Sequence, residues 1–257
     1  MSKHVFSLYI ENLQDLLNKF SSDYIHNSIL EIKDKSLHTR IIQVLRLDKA
    51  DNKVIFFDNN INVLVELLDE TFKNNKNILF KILEKNNNKL IKPEIILCPS
   101  IVKKQALEEI LYSAAAMGAT EVMPIITQKA YNKFNFEQEN SRLNKIMIAA
   151  CEQSKNYILP VLHEPEILEK FSNKINNLNN INKIYFDFDG QIATDIISKI
   201  NNKNKNYLFF GPESGFTDQE ISLLKENNCE SISLTPTILR AEHAVAVGLG
   251  LVRSLLK

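Results

Sequence analysis

The sequence predicts an α/β protein with a small β-rich domain over residues 1–85 and an α/β domain over residues 93–257. Three observations predict it. Short apolar or alternating runs fill the first third of the chain, and strand-like runs alternate with helix-like runs after Pro93. Between them lies the polar segment EKNNNKLIKP (84–93), which we interpret as a linker. A chain of 257 residues suits one small and one medium-sized domain.

The first domain is predicted from four strand-like runs. Their apolar or alternating residues are typical of short strands, and the Asp and Asn residues between them favour turns. The runs are VLRL (44–47), KVIFFDN (53–59), INVLVELL (61–68) and NILFKIL (77–83). Their spacing predicts a small barrel or a curled sheet.

The second domain is predicted from the alternation of strands with helices, which favours a parallel sheet. The predicted strands are EIILC (94–98), EVMPII (121–126), IYFDF (184–188), YLFF (207–210) and SISL (231–234). The predicted helices cover 101–117, 142–155 and 191–200, with two more from about Asp218 and from about Arg240. Ser100 is expected to cap the first helix, Gly118 to end it, and Ser141 to open the second.

Composition excludes several classes of protein. The chain has 31 Lys and Arg residues and 31 Asp and Glu residues, so its net charge is zero. A surface that binds nucleic acid would therefore have to be a local cluster of basic residues. The three cysteines form no CxxC pair, so we expect no disulfide or zinc site and a cytoplasmic location. We expect no signal peptide, and no run approaches the roughly 18 apolar residues of a membrane helix.

The segment YLFFGPESGFTDQEI (207–221) places a glycine-bracketed loop between a predicted strand and a predicted helix. Gly211 and Gly215 allow a positive φ and a close approach of the backbone to a ligand. Open α/β sheets bind ligands at the carboxyl ends of their strands. Thr217 and Glu220 have the spacing of a capping box. The alternative is a tight turn without a ligand, and the lack of a GK[ST] sequence argues against nucleotide hydrolysis.

The segment SLTPTILRAEHAVAVGLGLV (233–252) is the second candidate. Arg240 lies near the start of its predicted helix, where a cation is disfavoured by the helix dipole and needs an anionic partner. An ordinary surface pair with Glu242 is the alternative, but residues two apart do not face each other on a helix. Another carboxylate or a ligand anion could also be the partner, and we favour a functional role for this segment.

Two further segments are ambiguous on their own. The sequence ACEQSKN (150–156) is typical of a solvated helix end. Arg40 lies before the predicted strand VLRL, Arg46 within it and Lys49 just after it, where they could contact RNA phosphates or form a solvated sheet edge. The five histidines lack the spacing of metal ligands, so no metal is expected.

Taken together, these segments resemble the 16S ribosomal RNA uracil-N3 methyltransferase family of the SPOUT class. The match follows the family's order over nearly the whole chain, and GPExG followed about twenty residues later by ILRxE is its most specific part. The matching elements are VLRL (44–47), AAAMGATEVMPI (114–125) with Lys103 or Lys104 upstream, ACEQS (150–154), GPESG (211–215) and LTPTILRAEHA (234–244). The sequence differs from the family pattern at Ala116, Asn156, Ser214 and His243.

The resemblance implies a PUA-like RNA-binding β-barrel followed by a SPOUT domain with a trefoil knot. It also implies S-adenosyl-L-methionine (SAM) as the methyl donor, a homodimer, and 16S rRNA within the small ribosomal subunit as the substrate. The residues it implies for SAM binding are Phe186, Gly211, Pro212, Glu213, Gly215, Leu234, Thr235, Ile238 and Leu239. RNA contacts are assigned to Arg40, Arg46, Lys49 and Gln153.

Methylation of uracil N3 requires loss of its proton and stabilisation of the charge that builds on the uracil oxygens. Glu242 is our candidate general base or orienting carboxylate, and Arg240 our candidate for stabilising that charge or holding a phosphate. Three alternatives remain open. The protein could methylate a ribose 2′-oxygen of tRNA or rRNA, could be a catalytically inactive RNA-binding relative, or could be a generic nucleotide-binding α/β protein.

Overall fold

The structure is a computed structural model that describes residues 5–19, 26–45, 47, 52–68, 78–197 and 203–255. The chain divides into two compact units, residues 1–89 with 151–158 and residues 90–150 with 159–257. The assignment of 1–85 and 93–257 as two functional domains stays a prediction. The structure adds that the short segment Cys151–Ile158 groups with the first unit.

The first unit is built on one five-stranded sheet. Its strands are β1 (Phe6–Tyr9), β2 (Ile29–Ile32), β3 (Lys53–Phe57), β4 (Ile61–Leu67) and β5 (Ile78–Asn87), in the order β1-β3-β4-β5-β2. β1 pairs with β3 in parallel, and the other ladders are antiparallel. Along β4 buried and half-buried residues alternate, because one face packs on the core. No ladder joins β1 to β2 among the described residues, so the described sheet is open.

Three of the four strands predicted in this region are confirmed, and the fourth is wrong. Short helices α1 (Leu13–Leu17) and α2 (Lys35–Thr39) precede a π-helical turn over Arg40–Val44, so VLRL begins in helix and not in a strand. The reason is local: Asp34 caps α2 by accepting hydrogen bonds from the backbone of Ser36 and Leu37. A run of four residues with three apolar ones fits a helix as well as a strand.

The predicted linker 84–93 is also wrong in its first part. β5 continues to Asn87 because Ile61–Leu64 pair with its polar end. Backbone pairing, which does not depend on the side chains, extends the strand beyond its apolar residues.

The second unit contains a six-stranded parallel sheet, which confirms the predicted α/β alternation. Its strands are β6 (Ile95–Pro99), β7 (Glu121–Val122), β9 (Val161–Leu162), β11 (Ile181–Ile192), β12 (Lys205–Phe210) and β13 (Glu230–Ser233). Their order is β13-β11-β12-β6-β7-β9. β8 (Ile125–Ile126) and β10 (Glu166–Ile167) form a separate parallel pair. The predicted strand EVMPII is thus split in two, at Pro124, which has no N–H to donate.

Between residues 90 and 255, the described part of the chain contains six helices beside these strands. They are α3 (Lys104–Ala116), α4 (Phe136–Ser154), α5 (Leu168–Asn176), α6 (Ala193–Ile197), α7 (Asp218–Glu226) and α8 (Ala241–Leu255). Gly118 follows α3 with φ 73°, which confirms it as the terminator. Ser100 is not the cap of α3. Its hydroxyl lies 2.6 Å from that of Thr127, and its N–H donates to the carbonyl of Phe210. Ser141 lies inside α4 and does not open it.

The cysteines are buried and unpaired. Burial raises the pKa of Cys151 and of Cys229 to about 12, and it raises that of Cys98 as well. Within the described ranges, no group of three or more His, Cys, Asp or Glu side chains could hold a metal ion. No described helix is both long and apolar enough to cross a membrane.

Arg253 ties the end of α8 to the end of α3. Its guanidinium donates to the carbonyls of Pro93 at 2.5 Å and Met117 at 3.0 Å, and to that of Gly118. These acceptors are neutral, and burial lowers the pKa of Arg253 to about 10. The planar fork of donors suits several carbonyls at once.

We expect Arg253→Met to lower the free energy of unfolding by about 2–3 kcal/mol, because part-buried carbonyls lose their donor. Urea denaturation followed by circular dichroism measures the change. The exposed Lys225→Met is the matched control and should shift stability by no more than about 0.5 kcal/mol. Equal shifts in the two variants would contradict the role given to Arg253.

Candidate functional site

A cavity of about 540 Å³ opens at the carboxyl ends of β12 and β13 and beside residues 186–189 of the neighbouring β11, whose pairing with β12 ends at Phe186. Because these strands are parallel, the segments that follow them meet at one edge of the sheet. All nine residues predicted to bind a cofactor line this cavity: Phe186, Gly211, Pro212, Glu213, Gly215, Leu234, Thr235, Ile238 and Leu239. The structure therefore brings the GPESG segment (211–215) and the LTPTIL segment (234–239) together. Their role in binding a cofactor stays a prediction.

Two stacked aromatic rings contribute apolar surface to the cavity. Phe186 and Phe210 are register partners on β11 and β12, and their rings stack with centroids 4.4 Å apart and an interplanar angle of 15°. Gly248 of α8 packs against both rings. A Cβ there would lie 2.7 Å from Phe210 Cζ and 3.2 Å from Phe186 Cζ. The sequence indicated Phe186, but it indicated neither Phe210 nor the need for a glycine at position 248.

The glycines of the GPESG loop have different roles. Gly215 has φ 69°, as expected, and its N–H donates to the carbonyl of Pro212 at 2.9 Å. Gly211 does not have a positive φ. A Cβ at Gly211 would lie 3.1 Å from the backbone nitrogen of Phe216, so close backbone packing is what requires glycine there.

The predicted capping box at the start of α7 is confirmed, and its carboxylate has an additional partner. Glu220 accepts from the backbone N–H of Thr217 at 2.8 Å, and Thr217 Oγ1 accepts from the N–H of Glu220 at 3.3 Å. The other carboxylate oxygen of Glu220 accepts from the N–H of Gln128 at 2.8 Å. This buried side chain therefore joins the segment after β8 to the loop that lines the cavity. Sequence spacing could not indicate that second contact.

The charged side chains that line the cavity are all acidic. Of the described residues, Asp187, Asp189, Glu213 and Asp218 line it, whereas no Lys or Arg does. Asp187 accepts the N–H of Asp189 at 3.1 Å and is the first residue after Phe186. Such a cavity favours a ligand with net positive charge. Asp189 and Glu213 come after predicted parallel strands, and that position was the signal available for them in the sequence.

Arg240 and Glu242 lie next to the cavity without lining it. Leu239, Ala241 and Ala244 of the same segment are the residues that do. Arg240 is exposed just before α8 and accepts the N–H of Ala244 through its carbonyl, while Glu242 is half-buried in the first turn. Their catalytic assignment stays a prediction.

Two of the four residues predicted to bind RNA, Arg40 and Gln153, are among the described residues, and both belong to the first unit. Arg40 donates to the carboxylate of Glu152 at 2.5 Å, and the same carboxylate accepts the N–H of Tyr9 at 2.9 Å. Gln153 is exposed next to it. Arg46 and Lys49 lie outside the described residues. Glu152 of the EQS sequence thus has an anchoring role that the sequence did not indicate.

The positions that depart from the family pattern fall in different surroundings. Ser214 lines the cavity. Asn156 is buried, donates to the carbonyl of Ile158 at 3.1 Å and accepts its N–H at 3.3 Å. Ala116 is the last residue of α3, and His243 is exposed in the first turn of α8.

Comparisons with known proteins agree with one another. A family model described as RNA methyltransferase domain matches residues 89–253. The chain is 29% identical over 244 residues to ribosomal RNA small subunit methyltransferase E of Rickettsia conorii, covering 92% of this chain and 96% of that protein. It is 26% identical over 255 residues to the protein of the same name from Buchnera aphidicola, covering 96% and 92%.

A solved structure shares the fold over the whole chain. It is the ribosomal RNA small subunit methyltransferase E from Neisseria gonorrhoeae bound to S-adenosyl methionine. The TM-score is 0.78 at 20% identity, with 98% of each chain covered.

Two glycines of α8 predict opposite effects from the same change. Gly248→Ala should lower the free energy of unfolding, because its methyl group would collide with the Phe210 ring. Gly250→Ala should raise it by about 0.5–1 kcal/mol, because nothing lies within 4 Å and alanine favours a helix. Thermal unfolding of the two variants beside the wild type measures both. Shifts of the same sign would show that Gly248 does not pack as described.

Proposed function

We propose that this chain transfers a methyl group from SAM to N3 of a uracil in 16S ribosomal RNA. The chain belongs to the RNA methyltransferase domain family, whose model matches residues 89–253. The observation that carries the proposal is the cavity at the strand ends, which gathers the GPESG and LTPTIL bends beside an acidic lining. The names of the relatives from Rickettsia and Buchnera support the small ribosomal subunit as the source of the substrate.

The volume and the charge of the cavity suit SAM. Its volume lies within the range of about 300–1,000 Å³ that is usual for small-molecule sites. The stacked Phe186 and Phe210 rings offer an apolar surface for an adenine, and the four carboxylates suit the net positive charge of SAM. When bound, SAM supplies an electrophilic methyl group on a sulfonium. The chain's own residues hold the donor and the uracil in line and exclude water.

The roles of Arg240 and Glu242 follow from their place beside the cavity. Because their side chains do not line it, we assign them to the RNA and not to the donor. Glu242 is the proposed base or orienting carboxylate for the N3 proton. Arg240 is the proposed cation for the charge on the uracil oxygens or for a phosphate. Glu213, which lines the cavity, is proposed to hold the donor or its loop.

We extend the proposal to the type of each domain, the oligomeric state and the location of the protein. They comprise a PUA-like RNA-binding domain for residues 1–85, with Arg40, Arg46, Lys49 and Gln153 as contacts, and a SPOUT domain with a trefoil knot for 93–257. A homodimer in the cytoplasm completes them. Exposed apolar side chains support a dimer, since Phe188 and Ile238 at the cavity are 54% and 81% exposed.

The direct test is methyl transfer to small ribosomal subunits from a strain that lacks the modification. Tritiated SAM, the protein and these subunits should yield 3-methyluridine in the 16S rRNA, located by nuclease mapping. Arg240→Ala and Glu242→Ala should each lower the rate by at least about 10²-fold with the fold retained. The exposed Lys225→Ala is the control and should keep full activity.

Three outcomes would contradict parts of this proposal. Recovery of a 2′-O-methylnucleoside would identify a ribose methyltransferase. SAM binding without transfer to any RNA would identify an inactive relative. Full activity of both the Arg240 and the Glu242 variant would refute their roles while leaving the reaction itself intact.

The acidic lining predicts discrimination between SAM and its product. S-adenosylhomocysteine lacks the sulfonium charge, so we expect it to bind less tightly than SAM. Asp187→Asn keeps an acceptor for the Asp189 N–H and removes one charge, and it should narrow the ratio of the two dissociation constants by about fivefold. Calorimetric titration of both ligands measures the ratio. The exposed Glu226→Gln on α7 is the control, and an unchanged ratio in Asp187→Asn would exclude this electrostatic effect.

A further inference from the structure

The charge at the cavity creates a problem for an RNA substrate. RNA is a polyanion, and the described lining of the cavity contains four carboxylates and no cation. Phosphates that flank a uracil entering this site would be repelled unless a cation stands beside the opening. Such a cation must lie next to the loops that line the cavity.

Lys129 is such a cation. Its ammonium nitrogen lies 3.2 Å from the backbone carbonyl oxygen of Ser214, a residue that lines the cavity. That partner is neutral, and no described carboxylate lies within 4.0 Å of the ammonium group. One of its three N–H donors is used, so two are available to a phosphate oxygen. The side chain is exposed.

The backbone that carries Lys129 is held in place on both sides. Before it, the Gln128 N–H donates to the buried Glu220 carboxylate at 2.8 Å, and the Gln128 side chain donates to Gln219 at 3.0 Å. After it, the Tyr131 N–H donates to the carbonyl of Ile101 at 2.8 Å. An exposed lysine on a fixed backbone loses less conformational freedom on binding than one on an untethered loop.

We infer that Lys129 binds a phosphate group of the RNA substrate next to the target nucleotide, at the Ser214 side of the cavity. This inference rests on the proposed function, because it requires an RNA substrate. A different role, in which Lys129 orders the GPESG loop for the methyl donor, would act through the same Ser214 contact. The two roles differ in what salt does to binding, since each phosphate contact that is lost reduces the salt dependence of RNA affinity.

The test compares Lys129→Gln with the wild type in two measurements, which give three values: RNA affinity, its salt slope and the dissociation constant of SAM. Filter binding of transcribed 16S rRNA over a range of KCl should give affinity about five- to tenfold weaker near 0.1 M salt, with a log–log slope smaller by about one. Calorimetry should give an unchanged dissociation constant for SAM. Lys129→Arg should restore RNA affinity, because it retains the positive charge. Lys225→Gln, at the far end of α7, is the matched loss of one exposed lysine and should leave all three values unchanged.

Two results would overturn the inference. RNA affinity and salt slope equal to those of Lys225→Gln would remove Lys129 from the RNA contacts. If Lys129→Gln weakened SAM binding as much as RNA binding, the role of Lys129 would be to order the GPESG loop and not to bind a phosphate. A wild-type protein that binds SAM but neither binds nor methylates the RNA would instead defeat the proposed function, which separates the two failures.

Discussion

The parallel register of β13, β11 and β12 is the constraint on which the site depends. It pairs Phe186 with Phe210, so that their rings stack, and it releases three loops at one edge of the sheet. The register is kept by close backbone contact as well as by hydrogen bonds. A Cβ at Gly190 would lie 2.4 Å from the carbonyl carbon of Ile232, at the point where the pairing of β11 with β13 shifts. A side chain at that position would separate the strands that hold the loops.

The site also depends on a local separation of acidic and basic residues that the net charge of the chain does not reveal. Basic and acidic residues are equal in number, yet the cavity lining is acidic, and the exposed Lys129 and Arg240 lie next to its loops. An acidic interior suits a cationic methyl donor, whereas cations beside the opening suit an anionic nucleic acid. A net charge of zero therefore says little about either ligand, because affinity follows the local arrangement of charges.

Much of the fold could be predicted from local pattern, and the errors have physical causes. The long α/β alternation and the terminating Gly118 are set by nearby residues, so the sequence alone indicated them. The prediction of a strand at VLRL was wrong because a run of four residues with three apolar ones fits a helix as well as a strand. The prediction for Ser100 was wrong because its hydroxyl contacts that of Thr127, which is 27 residues away. The bends of the site were found because glycine and proline mark them. Glu213 was found in the same way, whereas the acidic lining as a whole, the Phe210 stack and Lys129 depend on tertiary contacts that no spacing reveals.

The return of Cys151–Ile158 to the first unit has a consequence for any attempt to divide the protein. Glu152 accepts the Tyr9 N–H and pairs with Arg40, and Tyr157 packs its ring 5.2 Å from that of Phe57. A fragment that stops at residue 89 would contain the whole described sheet and still lack these partners. In that fragment Phe57 would lose the ring of Tyr157, and Arg40 would lose the carboxylate of Glu152. The fragment would therefore lack contacts that the first unit has in the intact chain.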